Sequence, residues 1–290
     1  MLDTVLDTEL DDQDGAPVWW CAPGSELPGG YRAWDRLGVG LRCETWLVWS
    51  VPLWCPAVLK LPRPHQVTHP RAARSLGREV AALEGNPHPA LPRLYRDGTA
   101  AELPHIVIEY VDGPTLEEEL GANGPLEEPE VALLGAQLLT GLLALHHRGI
   151  AHVDVKPANV VLRDMRPVLI DFGSARRIGT PQPPRRPVGT PGYAAPELED
   201  CAPITAGMDL YALGATLHET LTGQLAFDPG TGPVRSPRPV GASALTKLVG
   251  ALLDPNPANR PTTAEALTTF AGAVPADLRP WPLWVDVVAG

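Results

Sequence analysis

The order of strand-like and helix-like segments is the feature that most constrains this 290-residue chain. Short apolar runs typical of strands lie at residues 46–51, 57–61, 91–95 and 106–111. Between the second and the third of these runs, apolar residues at helical spacing predict one helix at residues 70–83. After the turn-forming Asp112-Gly113-Pro114, helical spacing dominates, at residues 131–147, 208–222, 242–253 and 263–270. Strands first and helices later predict an α+β fold with a small, mainly β lobe and a larger, mainly α lobe.

Composition and charge indicate which kinds of partner are unfavourable and in which compartment the protein is expected. No window holds eighteen consecutive apolar residues, so we expect no membrane-spanning helix. The formal net charge of −11 argues against nucleic acid or an anionic membrane as the main partner. The four cysteines are scattered without a CxxC pair, which favours neither a zinc site nor a disulfide framework and predicts a reduced, cytoplasmic protein. The oligomeric state is left open.

Composition also sets the predicted boundaries. Residues 1–30 are acidic and then rich in Pro and Gly, which predicts an N-terminal tail. The lobes are then expected at residues 31–111 and 112–272, with a second tail at residues 273–290.

Three polar residues of the second lobe form a candidate metal site. Asp154 and Asn159 lie five residues apart on a predicted loop, and Asp171 follows an apolar strand twelve residues after Asn159. Carboxylate and amide oxygens suit Mg²⁺, and Lys156 is close along the chain. Any one of these residues could be a polar loop residue with no specific function, but that explanation accounts poorly for all of them together.

The first lobe carries a weaker signal of phosphate binding. Gly38 and Gly40 lie between predicted strands, where bare backbone lets a phosphate approach, although a plain turn explains them equally well. Lys60 lies on a later strand and is one of only three lysines in the chain. Glu79, on the following helix, is a candidate ion-pair partner for Lys60.

Taken together, these motifs resemble the eukaryotic-like Ser/Thr protein kinases over residues 31–270. The resemblance implies the two-lobed kinase fold, ATP with Mg²⁺ (or Mn²⁺), and protein substrates that carry Ser or Thr. The implied ATP-binding residues are Gly38, Val39, Gly40, Cys43, Thr45, Val58, Lys60, Glu79, Glu109, Val111 and Val161. The implied catalytic residues are Asp154, Lys156, Asn159 and Thr190, with Asn159 and Asp171 as metal ligands. The implied structural residues are His152, Phe172, Gly173, Glu197, Asp209 and Arg260.

Departures from the family pattern define the alternatives. Val153 replaces the arginine that in most family members binds a phosphate on the activation loop, which corresponds to residues 174–192 of this chain. The replacement predicts activity that does not require phosphorylation of that loop. Thr45 and Val58 replace the usual Val and Ala, and Val58 adds bulk where adenine stacks. Val58 and Val153 motivate a second hypothesis, a non-catalytic nucleotide-binding pseudokinase. A third, a small-molecule phosphotransferase, is disfavoured by the Phe172-Gly173 pair and by Ala195-Pro196-Glu197.

Three further segments carry predictions. Residues 227–243 are short and rich in Pro and Gly, so a substrate-docking helix common in the family is expected to be trimmed or absent. The C-terminal Trp281 and Trp284 would pack on the large lobe or on a partner. The activation segment holds a basic cluster, expected to be either solvated or in contact with acidic substrates or the acidic N-terminus: Arg176, Arg177, Arg185 and Arg186.

Overall fold

A computed structural model describes residues 7–11, 15–182, 188–227 and 241–280 of the chain. The chain divides into two units, one of Met1–Pro87 and Pro92–Val111 and the other of His88–Leu91 and Asp112–Gly290. The division between Val111 and Asp112 falls at the Asp112-Gly113-Pro114 break.

The first unit is built on an antiparallel sheet of six strands in the order β3-β4-β5-β6-β8-β7. Its strands, with a separate β1–β2 hairpin, are β1 (Asp7–Leu10), β2 (Pro17–Trp20), β3 (Glu26–Leu27), β4 (Tyr31–Val39), β5 (Cys43–Ser50), β6 (Cys55–Pro62), β7 (Leu94–Gly98) and β8 (His105–Glu109). Strand β5 alternates, with Trp46 and Val48 buried and their neighbours partly exposed, so one face of the sheet covers a core that includes Leu59 and Val107.

One helix, α1 (Pro70–Leu83), belongs to the first unit. Leu76, Val80 and Leu83 form its buried stripe, since positions three and four apart lie on one helix face. The helix contacts β6, β7 and β8.

The prediction of a tail over residues 1–30 is wrong for the described part of that segment. Strands β1 and β2 pair with each other, β3 pairs with β4, and Val18 and Leu27 are buried in the first unit. Composition missed these strands because they are only two to four residues long, too short for an alternating pattern to stand out.

The second unit is mainly helical. Its helices are α2 (Leu116–Asn123), α3 (Glu128–His147), α4 (Pro196–Glu199), α5 (Ala206–Thr222), α6 (Ala244–Leu252) and α7 (Thr263–Ala273). Two small antiparallel pairs complete it, β9 (Ile150–Ala151) with β12 (Arg176–Arg177) and β10 (Val160–Arg163) with β11 (Arg166–Leu169).

Helix α3 is the central element of the second unit. It packs against α5, α7 and β11, and its Leu138, Leu142 and Leu145 are buried. Gly135 allows the close approach of α7, because a Cβ at this position would lie 2.7 Å from the Phe270 ring. Among the described residues, α3 is the one helix whose length and apolar composition would suffice to cross a membrane.

Several sequence predictions fall outside the described residues. They concern Arg185 and Arg186, most of the segment at 227–243, and Trp281 and Trp284. These predictions stay untested.

Candidate functional site

Strand β6 carries a buried ion pair in the first unit. Lys60 lies across from Thr45 on β5 and Ile106 on β8, and its Nζ donates to Glu79 Oε2 over 2.8 Å. The two side chains are only 9% and 4% exposed. Burial of both charges is costly unless they are paired, so each side chain holds the other in place. The pairing predicted from the sequence is therefore present.

The turn that connects β4 to β5 begins with Gly40, and Gly38 lies near the end of β4. Gly38 pairs with Thr45, and the Gly40 N–H donates to the Cys43 carbonyl over 2.8 Å, which closes the turn. A Cβ added at Gly38 would meet no described atom within 4 Å, and the residue is not in the left-handed region. Neither packing nor backbone conformation demands glycine here. The open main chain it leaves fits a phosphate-bearing ligand.

Three other predicted nucleotide contacts of the first unit, Thr45, Val58 and Glu109, lie on the same sheet, and Val111 follows the end of β8. Val58 on β6 lies between Leu47 and Ile108, and it is on the face of the strand that also carries Lys60, opposite the core residue Leu59. Glu109 ends β8, and its N–H donates to the Arg93 carbonyl over 2.8 Å.

In the second unit, a hydrogen-bond network joins the four predicted catalytic residues. The Thr190 hydroxyl donates to Asp154 Oδ1 over 2.6 Å, and Lys156 Nζ donates to Thr190 Oγ1 over 2.9 Å. Lys156 Nζ also lies 3.6 Å from Asp154 Oδ2. The Asn159 amide nitrogen donates to the carbonyl and to Oδ2 of Asp154, over 2.8 and 3.1 Å. The Asp154 carboxylate is thus held from both sides.

The donor set beside this network fits Mg²⁺. Because the Asn159 amide nitrogen is bound to Asp154, its amide oxygen is turned away from that carboxylate. The Ile170 N–H donates to the Asn159 carbonyl over 2.8 Å, and Asp171 is the next residue. One amide and one carboxylate oxygen suit an ion that keeps several waters. In the described part of the chain, no three His, Cys, Asp or Glu side chains cluster as metal ligands.

Asp209 holds the backbone that leads into Asp154. Its Oδ2 accepts from the N–H of His152 and its Oδ1 from the N–H of Val153, each over 2.8 Å, and His146 Nε2 lies 2.7 Å from Oδ2. Burial alone would raise the pKa of Asp209, but the bonds from His146 and the backbone bring it below its usual value. These bonds stabilise a strained conformation, since the β-branched Val153 has φ +63°.

His152 connects this loop to Asp171. Its Nδ1 accepts from the Asp154 N–H over 3.3 Å, its Nε2 lies 3.1 Å from the Ile170 carbonyl, and its ring meets Phe172 edge-on at 4.9 Å. Burial lowers the pKa of His152. The neutral ring that results suits these bonds, with the proton on Nε2 donated to the carbonyl.

Two of the implied structural residues, Glu197 and Arg260, form an ion pair. The guanidinium donates to both carboxylate oxygens over 2.6 and 2.8 Å, to the carbonyls of Asp254 and Gly207, and stacks 5.0 Å from the Tyr211 ring. This pair ties α4 to the segment that precedes α7.

Sequence reasoning missed His146, the third partner of Asp209. Its only signal was that it is one of two adjacent histidines in the last turn of a mainly apolar helix.

Comparison with known proteins decides the family. Residues 55–270 match the family model of the protein kinase domain. The chain belongs to the protein kinase family. The predicted α+β kinase fold is confirmed. The match begins after Gly38 and Cys43, so the glycine-rich loop (residues 38–43) rests on the sequence pattern and on the geometry of the β4–β5 turn.

Bacterial relatives extend the match. The serine/threonine-protein kinase PkaA of Streptomyces coelicolor is 40% identical over 160 residues, which are 53% of this kinase chain and 30% of the relative. PrkC of Bacillus subtilis is 30% identical over 208 residues (71% and 32% of the two chains), and PknB of Mycobacterium tuberculosis is 32% identical over 263 residues (83% and 42%). The matched segment thus spans only 30% to 42% of the length of these curated relatives.

Proposed function

We propose that this kinase transfers the γ-phosphoryl group of ATP, with Mg²⁺ or Mn²⁺, to serine or threonine hydroxyls of proteins. The observation that carries the proposal is the network of Asp154, Lys156 and Thr190. A carboxylate and an ammonium group held together by one hydroxyl suit a site that must bind an acceptor hydroxyl beside a transferring anion. The relatives named as serine/threonine-protein kinases support the same acceptor class.

Each side chain has a distinct task in this proposal. Asp154 accepts a hydrogen bond from the acceptor hydroxyl, orients it and takes its proton as the new bond forms. Lys156 stabilises the negative charge of the phosphoryl group during its transfer. Lys60, held in place by Glu79, binds the phosphates of the nucleotide. Asn159 and Asp171 would hold the divalent ion, which supplies further neutralisation of phosphate charge when it is bound.

The proposal is tested by phosphate transfer from labelled ATP to generic acidic and basic proteins. Replacement of the carboxylate in Asp154→Asn, or of the metal ligand in Asp171→Asn, is expected to lower kcat by about 100-fold or more. A matched control is Asp164→Asn, because Asp164 is exposed in the β10–β11 turn and has φ +49°, a conformation that Asn tolerates. Equal rates in Asp154→Asn and wild type would reject the proposal.

The same assay separates the alternatives. A nucleotide-dependent rise in unfolding temperature without any labelled protein would favour the pseudokinase. Label on a small alcohol or amine, with none on protein, would favour the small-molecule phosphotransferase.

We infer further that activity does not require phosphorylation of the activation loop. The residue before Asp154 is Val153, which is buried and offers no cation to a phosphate. Thr180 is the residue for the test, because the bonds that its backbone makes to Arg177 and Ile204 do not depend on its side chain. Thr180→Ala is expected to keep activity within about threefold, whereas a loss above about tenfold, or ~1.4 kcal/mol, would contradict the inference.

The compartment is part of the proposal as well. The scattered cysteines without a CxxC pair support a reduced, cytoplasmic location.

A further inference from the structure

The β1–β2 hairpin attaches to the first unit at three places, and all three surround the glycine-rich loop. They lie just before the loop on β4, just after it at the start of β5, and at the end of β6, which carries Lys60. None of these attachments belongs to the site described above.

The first attachment is Arg36, two residues before Gly38. Its Nη2 bonds Glu9 Oε1 on β1 over 2.6 Å, and its Nη1 donates to the Trp19 carbonyl on β2 over 3.2 Å. The guanidinium also lies 5.4 Å from the centre of the Trp46 ring. Both strands of the hairpin therefore contact the same β4 side chain.

The second attachment is Glu44, which pairs across the sheet with Val39 at the other end of the loop. Its carboxylate is completely buried, and it accepts from the Trp19 N–H over 2.9 Å and from the Trp46 indole over 3.2 Å. Burial raises the pKa of Glu44, and these bonds lower it in part. The backbone of β2 thus supplies a donor that a buried carboxylate requires.

The third attachment is the end of β6. The Arg63 side chain is 2% exposed, donates to the carbonyls of Ala16 and Pro17 over 2.9 and 3.3 Å, and lies 3.4 Å from Asp11 Oδ2. The Trp19 indole donates to the Pro62 carbonyl over 2.8 Å. The Arg63 N–H donates in turn to the carbonyl of Arg42, inside the glycine-rich loop, over 2.9 Å.

These contacts form one continuous connection from hairpin to loop. Arg63 binds the hairpin with its side chain and the loop with its backbone, while Arg36 and Glu44 hold the two strands that border the loop. A simple packing role would need only apolar contact, yet the hairpin meets two buried charged side chains through directed hydrogen bonds.

We propose that the β1–β2 hairpin is a positioning element that orders the glycine-rich loop and the end of β6 for nucleotide binding. This inference rests on the proposed kinase function, because it assigns the hairpin an effect on the ATP complex. Glu9 and Asp11 are its positioning residues, since they act through Arg36 and Arg63 and not on the nucleotide.

The test measures KM for ATP and kcat separately in the full-length chain. Glu9→Gln removes a partly exposed ion pair and is expected to raise KM about two- to fivefold. The double variant Glu9→Gln/Asp11→Asn also removes the carboxylate beside Arg63, and we expect a rise of about tenfold. In both variants kcat should stay within about twofold of wild type, and Glu9→Asp should recover most of the wild-type KM.

The matched control is Glu26→Gln. It breaks the Arg32–Glu26 pair on the same sheet, at 3.3 Å with both side chains about half exposed, away from the loop. Its KM should equal that of wild type. A purely structural role for the hairpin would reduce the active fraction and hence kcat, with KM unchanged, and that result would overturn the proposal.

Amide hydrogen exchange at residues 38–43 keeps the proposal testable without activity. Exchange should accelerate about threefold or more in the double variant and stay unchanged in Glu26→Gln; equal rates in the double variant and wild type would overturn the proposal. If wild type transfers no phosphate, the kinase proposal is rejected. Faster exchange at residues 38–43 in the double variant than in wild type would still support the positioning role. If the double variant does not fold, Glu9→Gln alone decides by the same two measurements.

Discussion

Val58 is a single side chain that we expect to weaken nucleotide binding by the proposed kinase. It shares a sheet face with Lys60, and it is 8% exposed. The family pattern has a smaller residue at this position, so Val58 adds the bulk of two methyl groups to the sheet face that meets the nucleotide in the proposed function.

We therefore predict that Val58→Ala lowers KM for ATP by about threefold or more, since excess bulk in a packed site costs ~1–3 kcal/mol. Steady-state kinetics over an ATP titration would measure the change. The matched control is Val48→Ala, the same substitution on the core face of β5, which should reduce stability without lowering KM. An unchanged or higher KM in Val58→Ala would show that Val58 does not obstruct the nucleotide.

His152 leads to a prediction about pH. Its pKa is lowered by burial in the folded chain, so below about pH 6.5 the unfolded chain binds a proton that the folded chain does not. The neutral ring therefore contributes stability at pH 7 that is lost as the pH falls through 6.5 towards the folded-state pKa.

Nuclear magnetic resonance can follow the His152 ring directly. Its signals should remain those of a neutral imidazole at pH values where the same residue in the denatured chain is protonated. Titration of the folded His152 at or above about 6.5 would contradict the burial argument.

At the scale of elements, the short helix α4 depends on one ion pair. It has only four residues, too few for its own hydrogen bonds to sustain it, and Glu197 anchors it to the buried Arg260. Removal of the carboxylate would leave the buried Arg260 cation with two carbonyls and the Tyr211 ring but no counter-charge.

We predict that Glu197→Ala lowers the free energy of unfolding of the second unit by about 3 kcal/mol, the range found when one member of a buried pair is removed. Denaturant unfolding followed by circular dichroism would measure it. Glu199→Ala in the same helix is the control, because Glu199 is exposed and should change stability by no more than about 0.5 kcal/mol. A loss below about 1 kcal/mol would mean that the other contacts of Arg260 suffice.

At the scale of the whole molecule, nucleotide binding should appear as stability. A ligand that binds only the folded chain adds about 2.7 kcal/mol at 100 times its dissociation constant. We predict that ATP with Mg²⁺ raises the unfolding temperature and that Asp171→Asn removes most of the part that depends on Mg²⁺.

Differential scanning fluorimetry with and without a chelator would measure both effects. Asp164→Asn should behave as wild type. If ATP and Mg²⁺ do not shift the unfolding temperature of wild type, the residues assigned to nucleotide and metal do not bind them.

Sequence reasoning succeeded where local patterns were long or chemically distinctive. Helix α1 was predicted with its observed bounds because an amphipathic stripe runs through fourteen residues. Helix α2 was missed because its eight residues are mostly polar and only Leu116 is buried, so its sequence shows no apolar period. Its start instead depends on a capping box of Thr115 and Glu118.

By itself, the sequence determined the kinase fold, the pair of Lys60 and Glu79, and the set of polar residues from Asp154 to Asp171. These features have fixed spacing or unusual residue types, and such signals need no knowledge of distant partners. Only the tertiary structure decided that Thr190 joins Asp154 to Lys156, that His146 meets Asp209, and that the first thirty residues include a hairpin attached to the glycine-rich loop. These contacts link residues between 17 and 63 positions apart along the chain, and because folding brings such residues together, no local sequence pattern indicates them.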